Sequence, residues 1–392
     1  MRNQDDWLTR SKRVTPGGSQ TSSRRYPLVG TTEYPRVAVA SMGAHIYFDT
    51  ERRERAIDLA GANATCPLGA NNPRVIEGVL AELGTGGSLS LPSTLECRVS
   101  ESFMDLFPVQ RMVRWVRTGS EAVSGAVAIA QLVTGRERVG VFSDGYHGWH
   151  PWTRELTTSV PSIVFDRDRG VDRFTCDLST MAALVVESPR WFEVDSQYVE
   201  RLCRVRDACE EHGTLLVFDD VVYGFRFSTI GLLGRTNVVP SLACFSKALG
   251  NGYPVACIVG DPHVMNEAAF RVSSTFGGET CGLAAAQKVI DIHETQDVCG
   301  ELRDIGIKLR RSLSSALNGS PVRLEGTPQH FKFVCDDVGI LDTFLNHCIN
   351  DEVCRVLIHR DANNVNLVLD ETIREQITET VCRSVAKVSR AN

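Results

Sequence analysis

Short runs dominated by apolar residues recur along the middle of the chain, at 138–142, 162–166, 182–187, 214–218, 242–245 and 255–259. A run of that length bounded by Gly, Pro or charged residues reads as a strand buried on both faces. Residues 196–212 show amphipathic helical spacing and stand directly before the 214–218 run, as a βαβ crossover requires. Residues 112–135 read as a strand, a Thr-Gly-Ser turn and an Ala-rich helix closed by Gly135. This pattern predicts an α/β chain with a mostly parallel sheet flanked by helices.

The flanks are patterned differently. Between 34 and 60, polar and apolar residues alternate, which predicts short antiparallel strands joined by polar turns. A Gly/Pro/Asn loop at 63–72 precedes a helix beginning near Pro73. Beyond 290, helix-like stretches at 298–317 and 371–387 alternate with candidate strands at 331–334 and 365–369, a smaller α+β part. The expected organisation is an N-terminal segment (1–45), a large domain (46–270) and a small C-terminal domain (271–392), with residues 1–6 a disordered leader.

A chain of 392 residues is too long for one small core. Its 43% hydrophobic and 23% charged residues suit a soluble enzyme. A net charge of −6 with scattered basic residues argues against nucleic acid or a membrane as partner. The 13 cysteines include no C-x-x-C pair and lie mostly in apolar runs. That usage, with no signal peptide and no apolar run of bilayer length, leads us to expect a reducing cytoplasm. The Gly-rich stretch at 84–88 lacks the spacing and preceding strand of a nucleotide loop.

Two positions carry candidate chemistry. Lys247 lies between apolar runs at 242–245 and 255–259, where its stem cannot reach far toward water and its amine pKa falls. Such an amine suits imine chemistry, although a surface lysine at a strand end has the same local sequence. Upstream, the 214–218 run ends in Asp219 and Asp220, with Asp219 expected to lie deeper. In open α/β sheets ligands collect at the carboxyl ends of strands. A lysine and a carboxylate on neighbouring strand ends match the needs of pyridoxal 5′-phosphate (PLP): an amine to hold it and an acid to keep its ring nitrogen protonated.

The segments FDDVVYGFR and FSKALGNGYP, with T-G-S-E-A at 118–122, Y-H-G at 146–148 and S-T-F-G-G at 274–278, resemble the class III aminotransferases. The nearest branch is that of glutamate-1-semialdehyde aminomutase, and the likeness runs from Pro16 to about Ala286. The resemblance implies the PLP type I (aspartate aminotransferase-like) fold and a homodimer. It implies catalytic roles for Lys247 and Asp219, and a cofactor site of Gly119, Ser120, Tyr146, His147, Glu187, Asp219, Val221, Lys247 and Thr275. Gly119 and Ser120 would bind phosphate at a helix start, although Ser120 could equally serve as a plain N-cap. Tyr146 would stack on one ring face and Val221 on the other. Thr275 would reach the phosphate of the neighbouring subunit, or simply stabilise a turn. Arg24, Trp149 and His150 would contact substrate, with a solvated surface the alternative for Arg24.

The chain departs from the family pattern at Trp149 and His150, and at Trp191 and Phe192, which stand near the place of a cofactor-contacting Asn. His147 and His150 have the spacing of a metal pair but no third ligand in view, so no metal is expected. Arg355, His359 and Arg360 read as solvated surface residues. The expected activity is transfer of an amino group from an amino-acid donor, glutamate first among them, to an aldehyde or ketone in specialised biosynthesis. An intramolecular amine shift, a racemisation or a catalytically silent scaffold are the rivals. A nicotinamide enzyme lacks its glycine fingerprint.

Overall fold

The computed structural model describes residues 4–24, 37–49, 54–141, 145–153 and 177–391. Phe142, the 162–166 run, Arg25 and Tyr26 lie outside these residues. The chain divides into two compact units, residues 73–299 and residues 1–72 with 300–392.

The 73–299 unit holds a six-stranded sheet: β1 (Met112–Val116), β2 (Arg138–Val141), β3 (Met181–Glu187), β4 (Leu215–Asp219), β5 (Leu242–Phe245) and β6 (Ala256–Gly260). Their spatial order is β1-β6-β5-β4-β3-β2. Strands β2 to β5 pair in parallel and β6 runs antiparallel to both its neighbours. Five helices of this unit are α1 (Pro73–Leu83), α2 (Thr94–Asp105), α3 (Gly119–Thr134), α4 (Ser196–His212) and α5 (Thr280–Thr295). Small residues let α3 approach the sheet closely, and a Cβ on Gly125 would stand 2.6 Å from the Ile258 side chain. Val123, Ala126, Val127 and Ala130 of α3 share a core with Val185, Val217, Cys244 and Ile258 of the strands. Elsewhere in the unit Phe103 of α2 centres an aromatic cluster, its ring 5.4 Å from Phe245 and 5.7 Å from Phe225.

The other unit carries antiparallel strands Ala38–Met42, His45–Phe48 and Arg55–Asp58, the last pairing in parallel with Val356–Leu357. A second small sheet joins Arg323–Gly326, His330–Val334 and Asn363–Asn364. The expected breaks after 45 and 270 do not match the compact units. Residues 46–72 stay with the C-terminal part because Ile57 pairs with Val356. Residues 271–299 stay with the sheet because α5 packs against α1 and α2.

Three other expectations change. The first helix, Gln4–Val14, takes in residues 4–6, and the Trp7 indole donates to Asp49. The 365–369 stretch forms a turn, because the Asn366 side chain accepts from the Val368 amide at 3.2 Å and diverts the backbone from the ladder. His359 is buried, with Nε2 donating to the Ser23 carbonyl at 3.0 Å and Nδ1 accepting from the Asp361 amide at 3.0 Å. Arg355 pairs with Glu54 at 3.0 Å, and Arg360 with Asp342.

Candidate active site

The parallel register sets the site. Glu187 at the end of β3 lies opposite Asp219 at the end of β4, and Asp219 opposite Cys244 of β5. Three residues beyond Cys244 comes Lys247. Its backbone is left-handed, φ 47°, a conformation that costs a residue with a Cβ about 1–2 kcal/mol. The structure holds it there by a bond from the Ser246 hydroxyl to the Val255 carbonyl (3.0 Å) and by the turn Lys247–Gly250, capped by left-handed Asn251. Strain of this kind collects at functional sites.

Burial, then the charge of Arg190, lowers the Lys247 amine to about 8, against the opposing pull of Asp219 and Glu187. Asp219 is buried, its Oδ2 2.8 Å from Nδ1 of His147 and its Oδ1 accepting from the Val221 amide at 3.2 Å. A carboxylate oxygen can only accept, so the His147 proton sits on Nδ1. Burial raises the Glu187 carboxyl, while Arg190 opposes that rise through an ion pair. Glu187 also accepts from the Tyr146 amide at 3.0 Å, tying the 145–153 loop to β3.

Asp220 lies deeper than Asp219, contrary to expectation, at 1% exposure against 4%. Its Oδ1 accepts from the Ser188 hydroxyl at 2.6 Å and the Leu232 amide at 2.9 Å, whereas Oδ2 has no hydrogen-bond partner among the described residues. Burial pushes this acid up to about 7.

At α3 the N-cap is Thr118, not Ser120. Its hydroxyl accepts from the Glu121 amide at 3.2 Å, and Glu121 returns the bond to the Thr118 amide. That capping box leaves the Gly119 and Ser120 amides at the positive end of the helix without an acceptor among the described residues. Gly119 packs against Val221, where a Cβ would stand 2.7 Å from Cγ1.

Tyr146 and Trp149 are largely exposed, at 61% and 67%. The two histidines diverge: His147 serves Asp219, and Nδ1 of His150 lies 2.6 Å from the Ser124 hydroxyl. Thr275 is exposed in a turn closed by the Gly277 amide on the Ser274 carbonyl, and makes no hydrogen bond to the cluster. Arg24 ends the turn Ser22–Arg24 in the other unit and is exposed. Sequence reasoning missed Ser124, Trp152, Ser188 and Arg190. Only Ser124 left a signal, four residues after Ser120 on one helix face.

A family model described as aminotransferase class-III matches residues 180–334. The chain is 30% identical to a 2′-deamino-2′-hydroxyneamine transaminase of Streptomyces kanamyceticus, over 84% of this chain and 85% of that one. It is 27% identical to a glutamate-1-semialdehyde 2,1-aminomutase of Thermomicrobium roseum, over 85% of this chain and 82% of the relative. The FumI protein of Sphingopyxis sp. MTA144, solved in its PLP form, shares the fold with a TM-score of 0.83 at 23% identity, over 99% and 96% of the two chains. No helix among the described residues is long and apolar enough to cross a membrane.

Proposed function

This chain belongs to the class-III aminotransferases, which use PLP, and we propose that it moves an amino group from an amino-acid donor, glutamate in our reading, to an aldehyde or ketone acceptor of specialised biosynthesis. The observation that carries the reading is a half-buried amine of lowered pKa and a buried carboxylate, Lys247 and Asp219, at the ends of adjacent strands. The surrounding residues fit the cofactor: an amine of lowered pKa, a carboxylate fixed from two sides, and amide donors at a helix start for a phosphate. When bound, PLP supplies an aldehyde that condenses with amines and a ring that withdraws electrons from the substrate carbon.

The chain's own residues then divide the work. Lys247 anchors the cofactor and, once released, carries a proton at Nζ; its lowered pKa keeps part of it a neutral base near pH 8. Asp219, oriented by His147, holds a proton on the ring nitrogen. The Gly119 and Ser120 amides bind phosphate, the helix dipole contributing about 0.3–2 kcal/mol. Tyr146 and Val221 cover the ring faces, and Glu187 fixes the Tyr146 backbone. Trp149 and His150 face the substrate, and Arg24 its carboxylate. Thr275 serves the phosphate of a neighbouring subunit, which makes a homodimer the working unit.

The relative from Streptomyces kanamyceticus bears the name of a neamine-type transaminase, which supports a specialised acceptor. Likeness to the aminomutase favours, as a second reading, an amine shift within one molecule. Incubating the purified protein with glutamate and a panel of carbonyl compounds tests the choice. Release of 2-oxoglutarate that depends on one acceptor class supports transfer between molecules; turnover without net donor consumption overturns it. A visible absorption band equal in wild type and Lys247→Ala would refute the lysine assignment.

A further inference from the structure

We infer that Ser124 is a positioning residue, clamping the 145–153 loop to α3 and thereby holding the His147–Asp219 pair in place; the inference rests on the PLP reading above. Ser120 and Ser124 stand four residues apart and share one face of α3. The loop follows that face. Gly148, with φ 97°, lies against Ser120, where an added Cβ would stand 2.4 Å from the hydroxyl and 3.1 Å from Cα. Two residues on, His150 Nδ1 lies 2.6 Å from the Ser124 hydroxyl, and the Trp152 indole N–H donates to that same oxygen at 2.8 Å.

Donor chemistry fixes the direction of the Trp152 bond. An indole N–H can only donate, so Ser124 accepts from Trp152 through one lone pair and keeps its other lone pair and its proton for Nδ1 of His150. The Trp152 ring stacks on that of His147, centroids 6.3 Å apart and planes at 21°, and His147 donates to Asp219 at 2.8 Å. One hydroxyl is therefore linked to the buried carboxylate through two rings. Without it, the loop keeps the Tyr146–Glu187 bond and local turn bonds from Thr153 to His150 and Gly148. None of those orients the Trp152 ring.

The test compares Ser124→Ala, Ser124→Thr and Trp152→Phe with wild type, titrating PLP into the cofactor-free full chain. The expected result for Ser124→Ala is a PLP dissociation constant raised about tenfold, the loss of roughly one hydrogen bond. The pH midpoint of the bound cofactor's visible band shifts with it, because the His147 ring that orients Asp219 loses the support of a fixed Trp152 ring. Ser124→Thr, which keeps the hydroxyl, stays within about twofold of wild type. Trp152→Phe, which keeps a ring and loses the donor, moves with Ser124→Ala. Wild-type affinity and titration in Ser124→Ala, or Ser124→Thr as weak as Ser124→Ala, overturns the role. Should Ser124→Ala fold poorly, unchanged affinity in Trp152→Phe does so instead. A wild type without a Lys247-dependent visible band would sink the PLP reading itself, which is a separate outcome.

Discussion

Glu187 and Asp219 stand opposite each other in register at the carboxyl ends of two parallel strands, Glu187 half-buried and Asp219 buried, and each acid has its own partners. Arg190 and the Tyr146 amide serve Glu187, while His147 and the Val221 amide serve Asp219. Two neighbouring carboxylates in low dielectric repel, so such separate partners are what allow both to remain there. Lys247, one strand further on, feels both acids and Arg190.

Uptake of PLP by the cofactor-free chain should therefore follow the neutral form of Lys247. With its amine lowered to about 8, the uptake rate rises about tenfold between pH 7 and 9 and then levels. An unperturbed lysine would give about a hundredfold rise with no plateau in that range. Arg190→Ala removes a charge that disfavours the ammonium and leaves Glu187 uncompensated, so the midpoint moves to higher pH. Stopped-flow growth of the visible band measures both; a midpoint that stays put shows that Arg190 does not act on Lys247.

Replacing His147 by Ala removes the donor that orients Asp219. A hydrogen bond to a buried charged group is worth about 1.5–3 kcal/mol, so kcat/KM should fall about 10- to 100-fold, most of it in kcat. Steady-state kinetics against a working donor–acceptor pair decides. A loss confined to KM would mean that His147 contributes to substrate binding rather than to Asp219.

Much of this arrangement was legible in the sequence because burial on both faces leaves an apolar run. The runs ending at Asp219 and preceding Lys247 gave both strands, and Gly135 marked the end of α3. Partnerships between side chains leave no such periodicity. Ser124 meets Trp152 across 28 residues, and Asp220 meets Ser188 across 32, so neither pair could be read from local pattern. The depth of Asp220 is illegible for the same reason: an apolar run shows where a strand ends, not which of two following acids turns inward. The N-cap passed unread because Thr118 and Ser120 are both good caps, and only Thr118 has a Glu three residues later. The 365–369 stretch was apolar enough for a strand, but an Asn side chain bonded to the backbone two residues on makes a turn there.

Gly306 offers a stability test remote from the site. It lies inside the helix Val298–Ala316, where Ala is normally preferred by about 1 kcal/mol. Here a Cβ would stand 2.2 Å from the Pro328 carbonyl oxygen and 2.5 Å from its carbon, both backbone atoms. Overpacking costs about 1–3 kcal/mol and outweighs the gain in propensity. Gly306→Ala should lower the thermal midpoint, and a rise would show that the Pro328 turn yields freely.

Asp220 makes a prediction whose sign can be worked out in advance. Burial raises its folded pKa from 3.8 to about 7, so between those values the folded chain holds a proton that the unfolded chain has lost. Stability then falls as pH rises through that window, since the unfolded state binds fewer protons. Glu187, also raised by burial, contributes a slope of the same sign, so wild type alone cannot isolate Asp220. Asp220→Asn keeps an oxygen for the Ser188 hydroxyl and the Leu232 amide but cannot ionise. The variant should be no more stable than wild type near pH 4 and more stable near pH 8, with a difference on the order of a few kcal/mol. Denaturant titrations of both proteins across that range give the comparison. Parallel stability profiles would show that Asp220 ionises in the folded chain no differently from an ordinary aspartate.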